Sequence, residues 1–294
     1  RDSSVTGVQT CALPISIEPR VALITGANTG IGRVTAIRLA QHGYRLFLAG
    51  RSLERTQPVI DELVSLTGRS DVATFLPLQL DDLVSVRACA SKFLDTGMTL
   101  HLLINNAGLA GAKGLTKDGF ELAFGVNHMG HFSLTHWLLP RLKEADASRV
   151  VTVASRAHGL AKDGVVLDRL RQPTASMTGV PEYAVSKLAN VLFTRQLALE
   201  LKDSSVSCYT LHPGVVDTEV WREVPRWLRP LLKLRGMLTP EQGAETTLHC
   251  ALSARAEESG LYFDRCRVKT PSSRALDDQA AQALWDYSKT WSGL

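Results

Sequence analysis

A tyrosine and a lysine, Tyr183 and Lys187, stand four residues apart in the segment Pro-Glu-Tyr-Ala-Val-Ser-Lys-Leu-Ala-Asn that begins at Pro181. The segment is rich in helix formers and opens on a proline, which suits the first turn of a helix. On a helix, residues i and i+4 face the same way, so phenol and ammonium would share one pocket. A phenol with an ordinary pKa of ~10 is a poor base near neutral pH, but a neighbouring cation favours phenolate and lowers that value. Each unit of lowering corresponds to about 1.4 kcal/mol of preferential phenolate stabilisation. The pair is therefore suited to acid/base work on an oxygen. Alone, Tyr-x-x-x-Lys is a common surface spacing, and its meaning depends on the elements around it.

Those elements alternate. Apolar, β-branched runs predict strands over 21–25, 45–49, 74–80, 102–105, 149–154, 206–211 and 260–263. Helical periodicity falls between them, over 30–41, 54–66, 83–94, 119–139, 181–201 and 240–253. Strands bridged by helices imply right-handed crossovers and a parallel sheet covered on both faces, and the continuous apolar runs agree. No Gly, Ser or Pro linker splits the chain and no repeat is visible, so residues 17–294 read as a single doubly wound α/β domain of about seven strands. In this frame Ser155 follows the strand over 149–154, and Asn127 sits in Gly-Val-Asn-His-Met-Gly, inside a helix.

The first strand runs into Gly26-Ala27-Asn28-Thr29-Gly30-Ile31-Gly32, where the first helix starts. Glycines there let the backbone bend sharply and approach a pyrophosphate, while the helix N-terminus offers free N–H groups and a positive dipole end. A glycine-rich loop is weak evidence by itself. Between the first strand and first helix of an alternating chain it points to a dinucleotide.

From Thr25 to Gly32 the chain matches TGxxxGxG at every fixed position, and here it resembles the short-chain dehydrogenase/reductase family. Asn105-Asn106-Ala107-Gly108 matches that family's NNAG motif, and Asn127, Ser155, Tyr183 and Lys187 match its Asn-Ser-Tyr-Lys set in order. The interval of 28 residues from Ser155 to Tyr183, followed by Ser-Lys-Leu-Ala-Asn, resembles the retinol-dehydrogenase-like branch. The likeness extends from Arg20 to about Leu284. It implies a Rossmann-type fold and a reaction that interconverts a carbonyl and an alcohol with a nicotinamide cofactor.

The resemblance also implies roles. Tyr183 exchanges a proton with the substrate oxygen, aided by Lys187 and by the positive oxidised nicotinamide, while Ser155 hydrogen-bonds that oxygen. Lys187 binds the nicotinamide ribose, and Asn127 holds a water that extends the proton relay. Gly26, Asn28, Thr29, Gly30, Ile31 and Gly32 border the pyrophosphate. Asn105, Ala107 and Gly108 border the adenosine and tie neighbouring strands. Pro213, Gly214 and Thr218 cradle the carboxamide. Beside the adenine the family usually has Asp, where Gln79, next to Leu80, now stands, with Asp81 two residues on; either could accept from the adenine amino group.

The second strand ends in Gly50-Arg51-Ser52, with no carboxylate before Glu54. An acidic residue there would hold the ribose 2′-hydroxyl of NAD, whereas Arg51 suits a 2′-phosphate, with Ser52 as a further donor. NADP(H) is therefore expected in preference to NAD(H).

Residues 215–239 are expected to form the substrate lid, on the family's pattern. Trp221, Trp227, Leu228, Leu231, Leu232 and Leu234 make an apolar substrate plausible, and Arg222, Arg226, Arg229, Lys233 and Arg235 interleave with them. An ordinary lid with a solvated basic face is the expectation, with contact to an anionic membrane surface as the alternative.

Composition narrows the rest. A net charge of +4, from 33 basic and 29 acidic residues spread along the chain, gives no nucleic-acid signature. Five scattered cysteines suggest reduced thiols and a cytoplasmic setting. No apolar run is long enough to span a bilayer. His128, His131, His136, His158 and His212 lie on separate elements without ligand spacing, so no metal site is expected. The first sixteen residues, RDSSVTGVQTCALPIS, resemble a translated sequencing-adapter remnant and are set aside as non-native or disordered. A homo-oligomer is compatible with the family. Two other classes compete: a nucleotide-sensing module without turnover, and a serine hydrolase, which the absence of a G-x-S-x-G elbow disfavours.

Overall fold

The strands form where aliphatic side chains run without polar alternation. In the computed structural model, which describes residues 19–215 and 238–294, β1 (Val21–Thr25) is buried at all five positions. Its alternate side chains feed two different cores: Ala22 and Ile24 pack on one face of the sheet and Leu23 on the other. That is what a parallel sheet covered on both faces requires.

The sheet has eight strands in the order β3-β2-β1-β4-β5-β6-β7-β8. Beyond β1 these are β2 (Arg45–Gly50), β3 (Ala73–Pro77), β4 (Leu102–Asn105), β5 (Ser148–Val153), β6 (Val206–His212), β7 (Tyr262–Asp264) and β8 (Arg267–Val268). The first seven are parallel, and only β8 runs antiparallel, against β7. Strand order reverses between β1 and β4, and the crevice beyond their carboxyl ends is where such folds bind ligands.

Helices α1 (Gly30–Gln41) and α2 (Leu53–Thr67) cover one face together with α6 (Pro240–Leu252), through Leu39, Leu63 and Cys250. The other face is covered by α3 (Leu83–Leu94), α4 (Gly130–Lys143) and α5 (Val180–Glu200), through Phe93, Phe132 and Phe193.

Three features differ from the sequence reading. The helix expected over 119–139 is a short turn, Leu122–Phe124, then a π-helical stretch, Gly125–Met129, and then α4. Glycine bounds that stretch because a Cβ at Gly125 would lie 2.2 Å from Thr116 Cγ2 and one at Gly130 2.6 Å from the Leu80 carbonyl. A last helix, α7 (Asp278–Ser292), was not anticipated; its buried face of Ala281, Leu284, Trp285 and Ser288 carries only two large apolar side chains. Strand β8 was missed too, because its hairpin turn places Arg265 (φ 54°) and Cys266 (φ 58°) in the left-handed region without Gly or Asn to announce it. The initial sixteen residues, Thr218 and all but three residues of the expected lid (Val215, Leu238 and Thr239) lie outside the described residues. Among the described residues no helix is long and apolar enough to cross a membrane.

Candidate active site

At the end of β1 the chain turns through Gly26, whose φ of +69° suits glycine and whose N–H donates to the Ala49 carbonyl at 2.9 Å. Gly32 answers a different demand: a Cβ there would lie 2.3 Å from the Gly26 carbonyl and 2.6 Å from Asn106 Nδ2. Helix α1 begins after Thr29 with no side-chain cap and no acidic residue in its first turn. By contrast α2, α3, α6 and α7 are capped by Ser52, Asp82, Thr239 and Asp277. The first N–H groups of α1, around Gly30 and Ile31, thus remain available to an anion.

The segment after β4 ties strands together. Asn105 Nδ2 donates to Thr135 Oγ1 at 2.9 Å, and Asn106 Nδ2 donates to the Thr25 carbonyl at 2.8 Å. The backbone N–H groups of Asn106 and Ala107 both donate to Thr25 Oγ1, at 3.0 and 2.9 Å. Gly108 lies against the deeper pocket: a Cβ there would be 3.1 Å from Asn127 Oδ1 and 3.5 Å from Lys187 Nζ.

Tyr183 and Lys187 lie in the first two turns of α5, both almost wholly buried, and their side chains turn toward the end of β5. Lys187 Nζ is 5.7 Å from the Tyr183 ring centre and donates to the Val153 carbonyl at 2.9 Å. Ser155 follows β5 in extended conformation, and its side chain hydrogen-bonds the Tyr183 phenol. Asn127, in the π-helical stretch, is fully buried: its Oδ1 accepts from Leu109 N at 2.9 Å, and its Nδ2 donates to the Leu109 carbonyl at 3.0 Å and to Ser186 Oγ at 2.9 Å.

Burial acts against both charges. It holds the Tyr183 phenol above its ordinary value, with the Ser155 hydrogen bond as the opposing influence. It brings Lys187 down to about 7. The sequence reading expected the lysine to lower the tyrosine. In the folded protein alone the desolvation of both groups prevails.

A cleft of about 540 Å³ beside the glycine loop is lined by Asn28, Arg51, Ser52, Glu54, Arg55 and Thr56. Ser52 Oγ accepts from Arg55 N at 3.2 Å as the α2 cap. Gln79 is exposed and its N–H donates to Ser85 Oγ at 3.0 Å, whereas Leu80 is buried against α4. Pro213 and Gly214 follow β6, Gly214 with a φ of +93°.

Sequence reasoning missed several partners of these groups. Arg55 shares the Arg51 cleft and stands four residues after it, a spacing that could have revealed it. His158 Nδ1 donates to the Ser155 carbonyl at 2.6 Å and its Nε2 accepts from Ser272 N at 3.1 Å. It therefore braces the backbone at Ser155 and leaves the hydroxyl free of a hydrolase-like base. Asp264, the register partner of His212, accepts from Arg156 Nε at 3.0 Å and Lys269 Nζ at 3.0 Å. Among the described residues no cluster of His, Cys, Asp and Glu could hold a metal ion.

Comparison with known proteins agrees with this geometry. Residues 20–166 and 172–229 match the family model for short chain dehydrogenases. Dehydrogenase/reductase SDR family member 13 of Bos taurus is 45% identical over 285 residues, covering 95% of this chain and 74% of that protein. Retinol dehydrogenase 11 of Homo sapiens is 43% identical over 288 residues, covering 97% of this chain and 89% of that protein. Among solved structures, an uncharacterised protein from Mycobacterium paratuberculosis matches with a TM-score of 0.74 at 32% identity over 93% of each chain. Others with this fold were solved with nicotinamide cofactors: 3-ketoacyl-(acyl-carrier-protein) reductase from Brucella melitensis with NADH, and carbonyl reductase from chicken fatty liver with NADPH. Their TM-scores are both 0.65, at 25% and 24% identity, covering 85% and 86% of this chain and 97% and 99% of theirs. With the glycine crevice, the parallel sheet and the family match in agreement, this chain belongs to the short-chain dehydrogenase family, with retinol dehydrogenases among its relatives.

Proposed function

We propose that the chain is an NADP(H)-dependent oxidoreductase that interconverts a carbonyl and an alcohol on a lipophilic small molecule, with Tyr183 as its acid/base. The observation that carries this reading is the convergence of Tyr183, Ser155 and Lys187 on one buried pocket at the carboxyl end of β5. The relatives named as retinol dehydrogenases support an apolar substrate.

The residues present fit a dinucleotide. The uncapped start of α1 and the side-chain-free approach at Gly32 suit a pyrophosphate. Arg51 and Arg55, lining one cleft, suit a 2′-phosphate, although Glu54 shares that cleft. The bound cofactor supplies the hydride chemistry and, when oxidised, a positive charge beside the phenol.

The chain's own residues do the rest. Ser155 donates to the substrate oxygen as charge develops on it. Tyr183 gives or takes the proton at its phenolic oxygen. The Lys187 ammonium, steadied by the Val153 carbonyl, holds the nicotinamide ribose and favours phenolate once Tyr183 ionises. Because burial keeps the phenol protonated, the resting pocket is set to donate a proton toward a carbonyl. Asn127 spends its side chain on Leu109 and Ser186, so its part is to fix the pocket wall. A reducing compartment such as the cytoplasm accords with the free thiols of Cys89, Cys208 and Cys250.

A panel of retinoid, steroid and fatty carbonyls, followed by NADPH absorbance with NADH in parallel, tests the proposal. Turnover with NADPH that is lost in Tyr183→Phe supports it. NADPH binding without turnover on any substrate would replace it with the sensing module.

A further inference from the structure

We propose that His131 is a positioning residue that couples the strand end carrying the glycine loop to the helix carrying Tyr183. Its functional consequence rests on the dinucleotide reading of the crevice, its existence on the hydrogen bonds around the imidazole ring.

The ring of His131 is buried and both nitrogens are committed. Nδ1 faces the Asn127 carbonyl at 3.0 Å and must donate to it, since a carbonyl only accepts. Nε2 is then the acceptor, and it lies 2.9 Å from Thr25 Oγ1. Thr25 Oγ1 already accepts the N–H groups of Asn106 and Ala107, and its own proton goes to His131 Nε2 at 2.9 Å in preference to the more distant Ile104 carbonyl at 3.4 Å. The Asn127 carbonyl thereby fixes the tautomer of the ring.

The chain continues on the other side. Asn127 Nδ2 donates to Ser186 Oγ at 2.9 Å, and Ser186 Oγ donates to the Tyr183 carbonyl at 2.8 Å. A connected path therefore runs from Thr25, beside Gly26, through His131, Asn127 and Ser186 to the backbone of Tyr183. The π-helical stretch holds Asn127 in the middle of this path. A buried polar path of this kind, fully paired, favours one register of the elements it joins. Here those elements are the pyrophosphate side and the proton-transfer side of one crevice. His131 needs no proton exchange for this: as a neutral donor–acceptor it acts through geometry alone.

The test compares His131→Phe, which removes both bonds, with His131→Gln, which retains a donor and an acceptor, and with Ser186→Ala at the far end. Amide exchange of Asn106 and Ala107 reads the path without cofactor. We expect exchange about tenfold faster in His131→Phe, and near wild-type rates in His131→Gln. NADPH affinity, read by tryptophan fluorescence, and kcat should both fall about tenfold in His131→Phe. Ser186→Ala should lower kcat, and adding it to His131→Phe should cost less than the product of the two single effects. Unchanged exchange and kcat in a folded His131→Phe, or independent multiplication in the double variant, would overturn the proposal. If His131→Phe does not fold, His131→Gln against His131→Asn, too short to reach both partners, decides on the same readouts. Failure of the wild type to bind NADPH would refute the functional reading, while the exchange data would still judge the path.

Discussion

Lys187 holds its ammonium 5.7 Å from the centre of the Tyr183 ring and anchors it on the carbonyl of Val153, not on the phenol. The lysine is therefore positioned by the strand that Ser155 follows. Tyr183 is left to make its hydrogen bond with Ser155. On the proposed reading, this division separates proton transfer from cofactor holding. Replacing Tyr183 by Phe should reduce kcat by about 10²–10⁴-fold while leaving the NADPH dissociation constant within about twofold. Lys187→Ala should damage both. Fluorescence titration alongside steady-state kinetics separates the two, and a Tyr183→Phe enzyme with full turnover would remove the tyrosine from the chemistry.

The same pocket sets a pH asymmetry. Burial raises the Tyr183 phenol, so alcohol oxidation, which needs phenolate, should accelerate as pH rises from about 6 to 10. Carbonyl reduction needs the protonated phenol and should hold or decline over that range. Lys187, brought down to about 7, should add a loss of affinity for cofactor as it discharges above that value. Profiles of kcat/KM in both directions check this, and an oxidation rate independent of pH would contradict it.

Cofactor choice should reside in the cleft where Arg51 and Arg55 meet. Each charge-assisted bond to a 2′-phosphate is worth about 1.5–3 kcal/mol, so Arg51→Ala should weaken NADPH roughly 10–100-fold and leave NADH nearly unchanged. Arg55→Ala should act in the same sense. Binding titrations with both nucleotides decide it: equal losses for NADPH and NADH would mean that neither arginine reads the phosphate.

Much of this was legible in the residues themselves. Strand runs such as Val21–Thr25 declared a doubly covered sheet because they are apolar up to a β-branched threonine, and the glycines at 26 and 32 declared a turn because no other residue fits there. The spacing of Tyr183 and Lys187, read together with the glycine loop and Ser155, pointed to one pocket. What escaped depends on packing that no local pattern encodes. The π-helical break at Gly125–Met129 exists because Thr116 and Leu80 press against glycines on either side of it. The burden on His131 and His158 was hidden because their partners are 106 and 114 residues away. Helix α7 escaped because its buried stripe relies on Leu284, on Trp285, which stacks on Phe193 at 6.1 Å, and on the small Ala281 and Ser288.

The buried histidines set an acid limit on stability. His128, His131 and His212 are held neutral by burial, at about 3, 4 and 4 against an ordinary 6.5. Below 6.5 the unfolded chain takes up protons that the native chain refuses, so unfolding gains free energy as pH falls. Each histidine should therefore cost about 1.4 kcal/mol per unit of pH below 6.5, until its native value is reached. His101, His136 and His158, also lowered by burial, act in the same sense. Carboxylates with lowered values, Asp82 and Asp264, lose their contribution only at more acidic pH, below about 4. In the window between about 6.5 and 4 the histidines outnumber Glu121, whose carboxyl is raised by burial and so acts in the opposite sense. Urea midpoints measured across it should fall steeply with acid, and His128→Gln, which cannot titrate, should flatten the slope by about one proton. A midpoint that stays constant down to about pH 4.5 would mean these imidazoles are protonated in the native protein after all.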